Sequence, residues 1–416
     1  MVGGLTLISA DDARRILFET PPVGTERVPL REAGGRVLAA ALRAPEDLPA
    51  ERRSVMDGYA VRAADVHAAS ELASISLALV GTVPMGAIFA GALAAGEAVA
   101  ISTGGFLPTG ADAVVMVEHT SSTGESEGGG RSVEIARAVA PGANVIQVAE
   151  DFAAGDDVLP AGRRLRPQDL AALATFGVAE VTVFRRPRVA VLSTGNELCE
   201  PGATPRPGQV RDANQYALGA QVEAAGGVAI YGGIVRDDAG ALREVVARAL
   251  AEHDALILSG GSSVGTKDVT AEAMLGLPAP GVLFHGIDIR PGKPTLFARA
   301  GGKPVVGMPG FPTSSLIVFD AFIRPMLWRL GGEVGRHTWA ARRRARLARA
   351  QPSVVGREDY VRVRLVTRAG DPELWAEPLS GGSAAISNVV RADGLVRVAA
   401  DEAGVAAGAP VDVFLY

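Results

Sequence analysis

Three times between Val189 and Ser315, a run of apolar residues stops in small, hydroxylated and glycine-rich residues and then resumes as an amphipathic stretch. The segments are VAVLSTGNEL (189–198), ALILSGGSSVGTKD (255–268) and VVGMPGFPTSSLIVF (305–319). Unbroken apolar runs of this length suit strands buried on both faces, as in a parallel sheet. Each segment therefore reads as a buried strand, a tight turn and a helix start. Helix N-termini present unpaired N–H groups and a partial positive charge, so three such turns on one sheet edge predict a preformed site for an anionic, phosphorylated ligand.

The rest of the chain is arranged around that block. Ser9 as N-cap, Asp11 and Asp12 in the first turn, and the apolar Ile16 and Leu17 predict an ordinary first helix where a signal peptide would be basic and apolar. Short strands are predicted at 74–80, 97–101, 112–118 and 133–138, with the polar tract 121–131 as a flexible hairpin tip. The uncharged stretch 72–96 is broken by Pro84 and spaced glycines into strand-sized pieces, which argues against a membrane span. PQDLAALATFGV reads as a short helix. Residues 239–253 place Leu242, Val245, Val246, Ala249 and Leu250 at helical spacing, the crossover helix a parallel sheet requires. Beyond Gly332 the pattern turns to strands again, at 360–367, 374–379, 395–399 and 411–416.

The fold class expected is α/β plus β, in a multi-domain subunit. Its parts are a linking domain (1–46 and 143–185), a β-rich insert (47–142), a central three-layer α/β domain with a parallel-type sheet (186–330) and a small C-terminal β-barrel-like domain (331–416).

Composition narrows the chemistry. A net charge of −5 over 416 residues gives no general reason to expect nucleic acid. The basic run Arg342, Arg343, Arg344, Arg346 and Arg349 has no interleaved aromatics to stack bases, so it reads as a solvated face or edge strand. Cys199 is the only cysteine, which excludes an internal disulfide and a thiolate cluster and fits a reducing cytoplasm. None of the five histidines has a metal-ligand spacing, and no serine sits in GxSxG, so zinc hydrolysis and α/β-hydrolase chemistry are not indicated.

Within the three turns, Gly260 and Gly261 allow close backbone approach to a phosphate, and Ser262 and Ser263 add hydroxyl donors. The motif has neither the Walker spacing nor GxGxxG. IRPGKP places Arg290 and Lys293 in one turn-like segment suited to phosphate pairing, although a surface turn with two cations explains it equally well. Glu197, Asp268 and Asp237 or Asp238 gather at the same turns. Carboxylates beside a phosphate call for a hard cation, and Mg²⁺ is the usual one. Upstream, SVMDGYA puts Asp57 beside a glycine and ISTGG puts Thr103 in a second hydroxyl-glycine turn; for Asp57 a plain turn role is the stronger local reading.

Taken in order, SVMDGYA, ISTGGFLPTGADAVVMVE, VLSTGNEL, RDAN, SGGSSVGTKD, RPGKP, GMPGFPTSS, GREDYVRV and GGSAAISNVVRADG resemble the molybdenum insertases of molybdenum cofactor biosynthesis, the bacterial MoeA family to which the E domain of gephyrin is also similar. The resemblance spans nearly the whole chain. It implies a four-part elongated subunit and a head-to-head homodimer whose site lies between the β insert of one subunit and the α/β domain of the other. The reaction it implies takes adenylyl-molybdopterin and molybdate, inserts molybdenum and releases AMP with Mg²⁺, and the molybdopterin adenylyltransferase is a further partner. Matched by motif, Asp57, Thr103 and Glu197 are candidate catalytic residues. Asp237, Ser259, Gly260, Gly261, Ser262, Asp268, Arg290, Lys293, Pro309, Gly310 and Ser314 would hold pterin, phosphate and Mg²⁺, the metal at Asp237 and Asp268. Asp151 is retained, and Arg357 and Ser383 would complete the pocket.

The chain departs from the pattern at several places. Ile146 stands where the family usually has an arginine, a loss of roughly 1.5–3 kcal/mol if that arginine contacts an anion. Phe311 replaces the asparagine of LPGNP, Arg290 replaces a lysine, and Gly286 stands where some relatives have a second lysine. These departures fit a divergent paralogue. Rival readings are the molybdopterin adenylyltransferase or CinA-like nucleotide hydrolases, whose GGTG and GLGPT turns are missing here, and a non-catalytic scaffold.

Overall fold

A computed structural model of the protein describes residues 7–123, 131–260, 269–335, 341–382 and 384–416. They form two compact units: Ala41–Pro160 with Ala172–Val178, and the remainder, Met1–Ala40, Ala161–Ala171 and Ala179–Tyr416. Gly261, Ser262, Asp268 and Ser383 lie outside the described residues.

The larger unit carries a six-stranded sheet in the order Val228–Val235, Arg188–Thr194, Ala255–Ser259, Lys303–Met308, Leu296–Ala300, Pro280–His285. Successive residues of its strands feed opposite faces. Val189, Val191 and Ile257 pack on one side with Leu218, Val222, Phe319 and Trp328, while Ala190, Leu192, Leu256 and Leu258 pack on the other with Leu242, Val246 and Met274. The three layers follow from this alternation. The crossover helix is Ala239–Glu252, N-capped by the Asp238 carboxylate accepting from the Ala241 N–H at 2.7 Å.

Two expectations need correction. The sheet is mixed, because Leu296–Ala300 runs antiparallel to both its neighbours, Lys303–Met308 and Pro280–His285. Gly301 and Gly302, both with positive φ (57° and 81°), make the two-residue turn that joins Leu296–Ala300 to Lys303–Met308, a geometry that glycine pairs favour in hairpins. Second, no helix starts directly after STGNEL. The chain makes a short parallel pairing of Leu198–Cys199 with Val210–Arg211 and becomes helical only at Asn214–Ala224. Pro201, Pro205 and Pro207 account for this, since proline removes an N–H and turns the preceding residue away from helical angles. The other two devices do enter helices, Val269–Leu275 and Pro312–Val318.

The C-terminal strands close into a barrel in the order Ile289–Arg290, Glu358–Arg368, Asp371–Pro378, Arg342–Leu347, Pro410–Leu415, Gly394–Val398, with Gly394–Val398 also paired to Glu358–Arg368. Val363, Ala376, Val396, Val411 and Val413 fill it. Its basic strand is neutralised in place: Arg342 and Arg344 pair with Asp412, and Arg346 with Glu373. The first helix, Ala10–Phe18, begins as expected, with Ser9 Oγ accepting from the Asp12 N–H. Its Arg14 reaches the barrel, donating to the buried Glu358 and to the Tyr360 hydroxyl. Burial, reinforced by the Glu358 charge, pushes the Tyr360 phenol up, so it stays protonated and donates to Glu358.

The smaller unit holds a six-stranded sheet, Ala113–Met116, Gly58–Val61, Glu97–Ile101, Ile75–Thr82, Ser132–Ile135, Thr120–Thr123. The uncharged stretch contributes the strand Ile75–Thr82, and among the described residues no helix is long and apolar enough to cross a membrane. Thr120–Thr123 pairs antiparallel with Ser132–Ile135; the tip residues 124–130 lie outside the described residues.

Candidate active site

The three strand ends meet at the C-terminal edge of the mixed sheet and are tied together by side chains. Asn214, almost fully buried, donates from Nδ2 to Ser259 Oγ at 2.6 Å and to the Gly310 carbonyl at 2.9 Å, joining the second turn to the third. Thr194 Oγ1 lies 3.1 Å from Thr270 Oγ1, which donates to the Gly260 carbonyl at 3.0 Å, joining the first turn to the second. Gly260 has φ +110°, and a Cβ there would come within 2.3 Å of the Thr194 carbonyl, so only glycine fits.

This edge forms one wall of a cleft of about 1450 Å³. The opposite wall is the barrel strand Glu358–Arg368 with the loop that ends in Gly381 and Gly382. Ile289–Arg290 pairs in parallel with Glu358 and Asp359, and this anchors the RPGKP segment between the walls. Arg211, Arg290, Lys293, Arg349, Arg357 and Arg362 face Glu197, Asp212, Asp288 and Asp359, six cations against four carboxylates in a protein whose net charge is −5. Asp359, 3% exposed, accepts both arms of Arg357 at 2.7 and 3.1 Å, and Arg290 stands 4.0 Å from the same carboxylate. Arg211 is spent on the Pro201 and Ala203 carbonyls, holding the proline-rich excursion in place.

Of the residues singled out by sequence, Glu197, Ser259, Gly260, Arg290, Lys293, Pro309, Gly310, Ser314 and Arg357 all line this cleft. Phe311 lines it too, 56% exposed. The Glu197 carboxylate folds back over Gly195, where a Cβ would meet it at 2.6 Å. Asp237 does not line the cleft, but it stands beside this turn and accepts the Asn196 N–H at 3.2 Å. Asn214, Asp288, Asp359 and Arg362 were missed, although RDAN and GREDYVRV contain three of them; the partners of Asn214, 45 and 96 residues along the chain, leave no local periodicity to read.

Asp57 and Thr103 come together within the smaller unit. Asp57 Oδ1 accepts from the Thr103 N–H at 2.8 Å and from its hydroxyl at 3.3 Å, and both side chains are exposed. Asp151 also belongs to this unit, with its N–H on the Leu48 carbonyl. Ile146 lies there on the short strand Val145–Ile146, opposite Arg53, whose guanidinium covers the Phe106 ring at 4.3 Å.

A sheet edge of glycine turns thus faces an arginine-bearing barrel strand across the cleft of an α/β scaffold. Similarity to known proteins gives the family. The chain matches the MoeA N-terminal region (domain I and II) over residues 8–177, the probable molybdopterin binding domain over 190–329 and the MoeA C-terminal region (domain IV) over 344–416. It is 34% identical to molybdopterin molybdenumtransferase 2 of Mycobacterium tuberculosis, covering 93% of this chain and 94% of that protein. To the molybdopterin molybdenumtransferase of a Nostoc species it is 38% identical, over 78% of this chain and 74% of that protein. A crystal structure of the molybdopterin biosynthesis moeA protein from Pyrococcus horikoshii superposes with a TM-score of 0.83 at 30% identity, covering 99% of this chain and all of that one. The chain belongs to the molybdopterin molybdenumtransferase (MoeA) family, transferases of molybdenum cofactor biosynthesis.

Proposed function

We propose that this protein inserts molybdenum into adenylyl-molybdopterin, taking molybdate as the metal source and releasing AMP. The observation that supports this best is the cleft itself, with glycine turns on one wall and cations in excess on the other. The turns at Ser259–Gly260 and Pro309–Gly310 would cradle phosphate oxygens through main-chain N–H groups, with Arg290 and Lys293 adding charge. Glu197 would orient the pterin end. In the smaller unit Asp57 would take the proton from the attacking oxygen, and Thr103, which donates its N–H and its hydroxyl to Asp57 Oδ1, would be the positioning residue that holds this carboxylate.

The donor chemistry suits Mg²⁺. The acids around the first turn, Glu197 and Asp237, are oxygen donors with no histidine or cysteine completing a tighter cluster, and among the described residues no group of three such ligands occurs. Mg²⁺ is characteristically held by one or two carboxylates, with substrate phosphates supplying the rest. Glu197 and Asp237, with Asp268, would hold it, and the ion would supply neutralisation of phosphate charge.

We infer a cytoplasmic homodimer that receives its substrate from the molybdopterin adenylyltransferase. Size-exclusion chromatography with light scattering tests the dimer. At substrate concentrations where Asp57→Asn and Arg290→Ala are each impaired, mixing the two proteins should give more turnover than either alone if the two copies share sites. The central test incubates purified protein with adenylyl-molybdopterin, molybdate and Mg²⁺. AMP should appear together with cofactor able to reconstitute a molybdenum-free apoenzyme, and EDTA should abolish both. A protein that binds the substrate yet releases no AMP under these conditions is not an insertase.

A further inference from the structure

Among the arginines of the cleft, Arg357 is paired with Asp359 and Arg211 donates from Nε to two carbonyls, whereas Arg362 has buried donors left unmet. It sits on the barrel strand Glu358–Arg368, and one nitrogen, Nη2, donates to the Gly381 carbonyl at 3.0 Å. Its Nε and Nη1 are buried with no hydrogen-bond partner, and among the described residues it makes no ion pair. Burial pushes its guanidinium below the ordinary value; Tyr416 opposes this and the neighbouring Arg290 adds to it. Two buried, unmet donors on a partly exposed guanidinium are costly to a fold that derives nothing from them. The carboxylate nearest in role, Asp359, is already taken by Arg357 and approached by Arg290. What the wall lacks is an anion.

We propose that Arg362 is a binding residue for a tetrahedral oxyanion in this cleft, with Arg290 as the second cation. The inference rests on the reading of the cleft as the molybdopterin and molybdate site and adds to it a residue for which the motif resemblance supplied no role. Once released from the Gly381 carbonyl, Nη2 forms a parallel N–H pair with Nε or with Nη1, and such a fork suits two oxygens of one tetrahedral group, either free molybdate or the phosphate of the pterin substrate. Access requires the Gly381–Gly382 segment to yield, and two consecutive glycines allow this at little steric cost, because Gly381 already sits at φ +136° and a Cβ on Gly382 would meet nothing within 4 Å.

The distinguishing consequence is an opposition between stability and affinity. Arg362→Gln removes an unpaired buried charge, so ligand-free protein should melt about 2 °C or more higher, whereas a structural arginine would lower the melting point on removal. The same variant should lose tenfold or more in affinity for the oxyanion it holds. Isothermal titration of the full chain with sodium molybdate and, separately, with inorganic phosphate tells which source it serves, the affected titration naming it. Arg362→Lys keeps the charge without the fork; it should recover part of the affinity, and it carries the test if the glutamine variant does not fold. Wild-type binding of either ion with unchanged affinity in both variants overturns the role of Arg362 and leaves the cleft reading intact. Wild-type protein that binds neither ion overturns both.

Discussion

The cleft of the larger unit and the Asp57–Thr103 pair of the smaller one are built on opposite plans. The cleft draws on the sheet edge, the RPGKP segment and the barrel, and its charge is shared among six cations, several of them already balanced within the protein. The pair is local and exposed. One carboxylate oxygen takes two hydrogen bonds from one threonine, and among the described residues Asp57 makes no ion pair. A distributed site should fail gradually, losing affinity in steps as its members are removed. A site that rests on one carboxylate should fail all at once, in turnover and not in binding.

Asp57→Asn puts the contrast at greatest risk. We expect AMP release to fall about 10³-fold, within the range general-base removal produces, while adenylyl-molybdopterin binds within about tenfold of wild type. Single-turnover AMP release and equilibrium titration separate the two, and a binding loss as large as the rate loss would erase the distinction. Next in size is Asn214→Ala, which leaves Ser259 Oγ and the Gly310 carbonyl without their shared buried donor. It should cost about 1–3 kcal/mol, read from denaturant unfolding, because the second and third turns lose their tie. A smaller effect is expected of Lys293→Ala. The residue is exposed and has neighbours of like charge, so substrate affinity should drop about tenfold with the rate from bound substrate unchanged. If Lys293→Ala instead abolished turnover, the cleft would be doing chemistry as well as binding.

How much of this was legible in the sequence depended on how local its causes are. The three buried strands could be read because burial on both faces demands unbroken apolar runs, and the crossover helix because Leu242, Val246 and Ala249 repeat at helical spacing. The Gly301–Gly302 hairpin carried a signal, two glycines between strand-like runs, that the parallel reading of the domain overrode. The missing helix after STGNEL was announced by Pro201, Pro205 and Pro207. By contrast, nothing local joins Arg14 to Glu358 across 344 residues, or Asn214 to Gly310 across 96. Arg362 was beyond reach as well, since an unmet donor is defined only by what surrounds it. Asp57 and Thr103 were paired beforehand through resemblance alone; their 46-residue separation corresponds to no period.

Phe311 offers the finest test of the distributed plan. It occupies the N-cap of Pro312–Val318 with no side-chain cap bond and exposes 56% of its surface in a cleft that also carries six cations. A ring that stays more than half exposed gains little from folding, whereas asparagine is among the best N-caps. Phe311→Asn should therefore stabilise the protein by about 0.5–1 kcal/mol. If the ring stacks on the planar pterin, the same change should weaken adenylyl-molybdopterin severalfold while leaving molybdate binding untouched. Gain of stability with loss of pterin affinity would make Phe311 a member of the cleft that binds by shape and not by charge. Gain of stability with no change in affinity would reduce it to a tolerated replacement, and the plan of the cleft would be electrostatic throughout.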